Sequence, residues 1–257
     1  MRTILLLVGL IVSVSGCTPM KPALSNSGMA EVQSLDVKGR QGLLINQKLS
    51  FGEFQTSKVK RSWTRGREGG FGVPVGAGGR DILSYTTIEK AQTFSFQMED
   101  IHGNRAIVYA ISEFAAEELQ LNKNLGGLVE DFFGVTLSGN NIFYLQLFIN
   151  NEFQPWELIL NNEAAQVFAK EYKGLFAASE EQYYVLKPIT KIEGKKGPQN
   201  LIMGSIGYEI FNKNEEPVAA VSLVDAGRVF FHTTDPSERF LLANLCAALL
   251  LQEDIAE

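Results

Sequence analysis

Cysteine and histidine are scarce, two of each in 257 residues. So few thiols cannot form a disulfide framework, and with two histidines they leave little material for a zinc site. Basic residues are outnumbered, 23 Lys and Arg against 29 Asp and Glu for a net charge of −6. That balance excludes a general nucleic-acid binder. A 45% apolar, 20% charged composition excludes a disordered or collagen-like chain. Also missing are GxSxG, HExxH, CxxC and GxxxxGK[ST], so no ready-made nucleophile, zinc or phosphate-loop chemistry can be read off. No cofactor or metal is implied.

What is present begins with an address. Arg2 supplies a positive start, and Ile4–Val14 is an apolar run shorter than the ~20 residues that span a bilayer. An ordinary secretory signal has this form. Val14-Ser15-Gly16-Cys17 in addition resembles the lipobox of bacterial lipoproteins. The resemblance implies that residues 1–16 are a signal peptide cut before Cys17. It also implies that Cys17 then carries acyl chains on its sulfur and amino group. Each buried CH₂ contributes ~0.8 kcal/mol, so several chains anchor almost irreversibly. Thr18, in place of an aspartate after the cysteine, points to the outer membrane. Cleavage removes one charge, Arg2, and leaves Cys246 without an intramolecular partner. A lone thiol in an oxidising envelope is inert only if buried, so Cys246 is expected in the core. Residues 17–33 mix Pro, Ser, Asn and Gly without periodicity and read as the lipidated cysteine followed by a flexible tether.

Residues 34–257 read as a single, mostly β domain closed by one helix. Phe94, Phe96 and Met98 alternate with polar residues, as do Leu145 and Leu147, and Trp156, Leu158 and Leu160. Arg105–Ser112, Tyr183–Ile192, Ile206–Phe211, Val218–Val224 and Val229–Thr233 read as further strands, with turn chemistry between them that suits antiparallel neighbours. Glu193–Asn200 reads as a turn. At the end, Asp235-Pro236-Ser237-Glu238 combines an N-cap carboxylate, Pro at N1 and Glu at N3. A helix over about 236–254 follows. In its stretch Phe240–Leu251, Asn244 is the one polar residue. A helix that is apolar all round has to be buried all round. The expectation is therefore a closed antiparallel β-barrel of about twelve strands around a central hydrophobic helix. A sandwich with the helix along one edge is the alternative, and it would leave half of the helix wet.

This layout, clearest over Gly207–Leu251, resembles the tubby C-terminal / phospholipid scramblase-like superfamily. The resemblance implies a closed barrel threaded by the C-terminal helix. It rests on layout and hydrophobic pattern, and no ligand residue of the family is carried over to a position here. Tubby-like proteins are largely intracellular, whereas this chain carries an export signal.

The strongest candidate for a binding surface is a local inversion of charge: Lys58, Lys60, Arg61, Arg65 and Arg67, with Trp63 among them and Arg80 beyond. Guanidinium forks pair with phosphate oxygens, and an indole suits an amphiphilic interface. Arg61, Trp63, Arg65, Arg67 and Arg80 are thus the candidate ligand residues, for an anionic lipid or phosphorylated glycolipid. A solvated strand face that discourages edge pairing is the plainer reading. Gly66–Gly79, half glycine, is a lid or a surface loop. Lys187, Lys191, Lys195 and Lys196 form a second cluster at a solvated hairpin tip. His102 reads as a turn residue, His232 as a structural residue ending a strand, and Glu152 and Glu157 as solvated carboxylates flanking a hairpin turn. The functional expectation is a membrane-anchored, non-enzymatic envelope lipoprotein that binds anionic lipid or another amphiphile. The alternatives are an assembly lipoprotein that recruits an envelope protein partner, and a hydrolase with an unrecognised site.

Overall fold

The computed structural model describes residues 20–25, 32–41, 45–65, 74–75, 80–81, 90–114, 125, 128–129, 132 and 141–252. The first strands are β1 (Gln33–Asp36), β2 (Ser50–Phe51), β3 (Phe54–Gln55), β4 (Lys60–Arg65), β5 (Pro74–Val75) and β6 (Arg80–Asp81). Then come β7 (Lys90–Glu99), β8 (Arg105–Phe114), β9 (Ile142–Ile149), β10 (Trp156–Asn161) and a short helix α1 (Asn162–Val167). Next are β11 (Gly174–Ala177), β12 (Tyr183–Pro188), β13 (Lys191–Gly194) and β14 (Gly197–Asn200). The chain ends with β15 (Gly207–Phe211), β16 (Pro217–Ser222), β17 (Arg228–Phe231) and the helix α2 (Pro236–Leu251).

Eleven strands form one antiparallel sheet in the order β1-β17-β16-β15-β12-β11-β10-β9-β8-β7-β4. The protein is mostly β with one long C-terminal helix, as its patterning predicts. The barrel is not closed, however. β1 and β4 stand at opposite edges, and no ladder joins them among the described residues. The sheet instead curls, so that α2 touches β16 near one edge and β8 and β9 toward the other.

Packing covers the seam where hydrogen bonds do not. The segment between β1 and β4 folds into the β2–β3 hairpin, tied to the β1 side by Lys38 N–H to Ser50 O at 2.9 Å and to the β7 side by the Thr56–Met98 bridge. Leu49, Phe51, Phe54 and Val59 from this segment are buried in the same core as the helix. Phe54 packs at 5.8 Å between ring centroids against both Phe51 and Phe231. A sandwich edge would leave a wet stripe on the helix. There is none, since every residue from Phe240 to Leu251 is buried.

The helix carries its own polar bookkeeping. Asp235 accepts the Glu238 N–H at 2.7 Å, and Asn244 turns its amide back to the Phe240 carbonyl at 2.8 Å. The helix ends at Leu251, with Gln252 donating to Ala248 O, a little short of the span expected from sequence. Among the described residues no helix is long and apolar enough to cross a membrane. Cys246 is fully buried, as expected of an inert thiol, and burial pushes it well above the usual thiol range.

A second, smaller core lies on the other face of the sheet. There Ile111, Tyr144, Ile159 and Leu175 pack with Leu125, Leu128 and Val129.

Two segments depart from the sequence reading. Tyr183–Ile192 is not one strand: β12 stops at Pro188, and β13 and β14 form a separate two-stranded ribbon. Backbone pairing with β15 lasts one step past Pro188, where Ile189 N–H donates to Gly207 O at 2.8 Å, and the chain then leaves the large sheet for the ribbon. In addition, residues 20–25, expected within a loose tether, are docked on that ribbon. Pro22 bridges Ile192, and Ala23 N–H donates to Lys191 O at 3.0 Å.

Candidate functional site

β4 pairs with β7 so that Arg61 stands opposite Phe94, Trp63 opposite Gln92 and Arg65 opposite Lys90. Arg61 is partly buried there. Its guanidinium donates to Gln47 Oε1 at 2.9 Å and to the Leu251 carbonyl at 3.0 Å, and it lies 5.3 Å from the Phe94 ring centroid. Arg40 approaches the same helix end, donating to Leu250 O at 3.1 Å and to Asp225 O at 3.1 Å. The last carbonyls of a helix lack intrahelical donors and carry the negative end of its dipole. Two guanidiniums therefore close the C-terminus of α2. Arg61 thus serves the core at this point. Arg40 was not singled out by sequence, and nothing local to Gly39-Arg40-Gln41 could have marked it, because its partner carbonyl is 210 positions away.

Trp63 and Arg65 follow Arg61 along β4. Arg80 stands in the short β5–β6 ladder opposite Val75. Lys58 and Lys60 are exposed. Arg67 lies outside the described residues, as do Cys17 and most of the glycine-rich stretch 66–79.

A second basic region is assembled by the chain ahead of the sheet. The backbone of residues 21–23 runs antiparallel along β13, with Glu193 N–H donating to Lys21 O at 2.9 Å. Ser25 then fixes the segment: its N–H and hydroxyl both donate to the Glu209 carboxylate, at 2.8 and 2.6 Å. Glu209 is almost fully buried, 6% exposed, so these bonds hold a carboxylate that would otherwise be costly to bury. A lone two-stranded ribbon is marginal in water, and residues 21–23 supply the β13–β14 ribbon with a third strand. Lys21, Lys191, Lys195 and Lys196 are all exposed on this unit, against one exposed acid, Glu193. Just past β14, Ile202 is 101% exposed and Met203 86%.

No family model, curated protein or solved structure matches this chain. The reading of function therefore rests on these residues alone.

The remaining candidates are placed as follows. His102 sits in a turn, where Asp100 accepts its N–H at 2.9 Å. His232 ends the last strand; burial holds its imidazole below the usual range, with the Glu209 charge opposing. Glu152 is exposed. Glu157 is not the solvated carboxylate expected, for it is 2% exposed and accepts from Gln146 Nε2 at 3.3 Å. Alternation puts it on the sheet face covered by Leu125, Leu128 and Val129. Its buried neighbour Tyr144 also accepts from Gln146, at 2.9 Å. Burial, with the Glu157 charge added, pushes the Tyr144 phenol well above its usual range. Among the described residues no three His, Cys, Asp or Glu side chains gather as a cation site.

Proposed function

We propose that this protein is a lipid-anchored component of the bacterial envelope, held at the outer membrane through Cys17. In this reading its β domain binds an anionic lipid or related amphiphile at the membrane surface without turning it over. The observation that carries the reading is the docking of residues 20–25 so soon after the lipobox. Met20 follows Cys17 by three positions, and three extended residues reach only about 10 Å. An anchor so short holds the domain against the bilayer, where exposed basic side chains meet anionic headgroups. The tubby / scramblase-like resemblance implies a closed barrel, and among the described residues the sheet here stays open between β1 and β4, so what is shared with that layout is a C-terminal helix buried against one large antiparallel sheet. A second reading, recruitment of an envelope protein partner, is favoured by the exposed Val167 and Phe168 at the end of α1.

The test is mass spectrometry of the protein purified from its own membranes. The first peptide is expected to begin at Cys17 and to carry acyl chains, with anionic lipid co-purifying, and Cys17→Ala is expected to move the protein to the soluble fraction. An unacylated chain that begins elsewhere would remove the anchor from the account. A reproducible protein partner without lipid preference would favour the second reading.

A further inference from the structure

The domain has two basic regions, on β4 and on the β13–β14 ribbon, and the chain that leads to Cys17 distinguishes them. We infer that the β13–β14 ribbon, with residues 20–23 as its third strand, is the face this protein lays on an anionic bilayer. The inference rests on the lipid-anchored reading above, since Cys17 provides the tether.

The direction of the chain comes first. Residues 21–23 run antiparallel to β13, with Lys21 paired near Glu193 and Ala23 near Lys191. Going back from Lys21 toward Cys17 therefore leads to the tip of the ribbon, where Lys195 and Lys196 join its two strands. Met20 is itself partly exposed at that end. Acyl chains within about 10 Å of Met20 hold this tip beside the headgroups.

Charge is the second argument. The full chain is at −6, and at −7 once Arg2 leaves with residues 1–16, so the anchored molecule as a whole is repelled by an anionic surface. The ribbon unit inverts that sign with Lys21, Lys191, Lys195 and Lys196 against Glu193, and all five side chains are exposed. By contrast, the Arg61 guanidinium on β4 is engaged with Gln47 and the helix end.

The third argument is shape. The strand of four residues in β14 is exposed at every position, as an element with no protein cover. At ~3.3 Å per residue it is about 13 Å long. Laid flat, it would place the tip lysines among phosphates and bring the exposed Ile202 and Met203, at the other end, to the interface. Long apolar side chains beside lysines are what a membrane surface retains.

Amine footprinting of the intact lipidated protein tests this. It would be reconstituted in vesicles of phosphatidylcholine alone or with one-third phosphatidylglycerol, and labelled with a water-soluble acylating reagent. In the anionic vesicles Lys195 and Lys196 are expected to lose roughly fivefold or more of their reactivity relative to neutral vesicles, while Lys58 and Lys60 keep theirs. High salt should restore the lost reactivity. Lys195→Glu with Lys196→Glu is expected to abolish the protection of Lys191 and leave the melting temperature unchanged, since both side chains are exposed. Unchanged reactivity of all four lysines would overturn the face while leaving the anchor intact. Protection of Lys58 and Lys60 instead would overturn it in favour of the β4 side. The same digest reads the first peptide, so a missing lipid on Cys17, which defeats the anchored reading and this inference with it, is told apart from a misassigned face.

Discussion

Leu245→Asp is expected to yield no folded protein. Leu245 is 0% exposed in the middle of α2, and Leu242, Leu249 and Phe231 are buried in the same core. A carboxylate placed there has no partner and no water. Breaking the neutrality of such a site costs several kcal/mol, comparable with a whole domain's stability of ~5–15 kcal/mol. Two controls separate charge from volume. Leu245→Ala is expected to cost about 2–5 kcal/mol through the cavity it leaves, and Leu245→Met less than about 1.5. Circular dichroism and a melting curve read all three. A Leu245→Asp variant that melts with the parent would show that the helix is not the centre of the core.

The second large effect concerns Arg61. Arg61→Ala removes charge-assisted bonds to Leu251 O and Gln47 and the stacking over Phe94. Hydrogen bonds to charged groups contribute about 1.5–3 kcal/mol each, and a helix end left without its donors loses the dipole term as well. A loss of about 2–4 kcal/mol is expected, or roughly 5–15 °C in melting temperature for a domain of this size. Arg61→Lys keeps the charge without the fork and should recover less than half of it. This result bears on function, because a residue that locks the core is a poor choice for a reversible ligand clamp. A variant that melts like the parent but no longer associates with anionic vesicles would reverse the assignment and return Arg61 to the ligand surface.

The helix was legible in the sequence because its evidence is local. The capping residues Asp235 and Pro236 and the run from Phe240 to Leu251 need no distant partner to be understood. The burial of Cys246 follows from the same run. The longer strands were legible too, where Phe94, Phe96 and Met98 or Leu145 and Leu147 keep a period of two.

What was hidden depends on residues far apart in the chain. Closure of a sheet is decided by whether its two edge strands meet, and neither Gln33–Asp36 nor Lys60–Arg65 records its neighbour in its own pattern. The plug that covers the seam is built on strands of two residues, β2 and β3, too short to show a period. Glu157 looked solvated because it follows a turn, and its burial comes from the face of the sheet on which Leu125, Leu128 and Val129 pack. Arg61 was read as part of a charge cluster, and its partner carbonyl belongs to a residue 190 positions on. The ribbon was half visible: its lysines mark a hairpin tip, but nothing in residues 20–25 announces that they bind Lys191 and Glu209.

The enclosure of α2 is what the other structural statements rest on, and thiol accessibility around one helical turn tests it most directly. Cys246, Ala247 and Ala248 lie about 100° apart around the axis, and all three are fully buried. In a background with Cys17 replaced by alanine, the native thiol would be compared with Ala247→Cys and Ala248→Cys, each also carrying Cys246→Ala. All three thiols are expected to react only as fast as each variant unfolds, and to react at once in denaturant. Prompt labelling of any one of them in the native protein would mean that the helix has a wet side and that the curled sheet does not surround it.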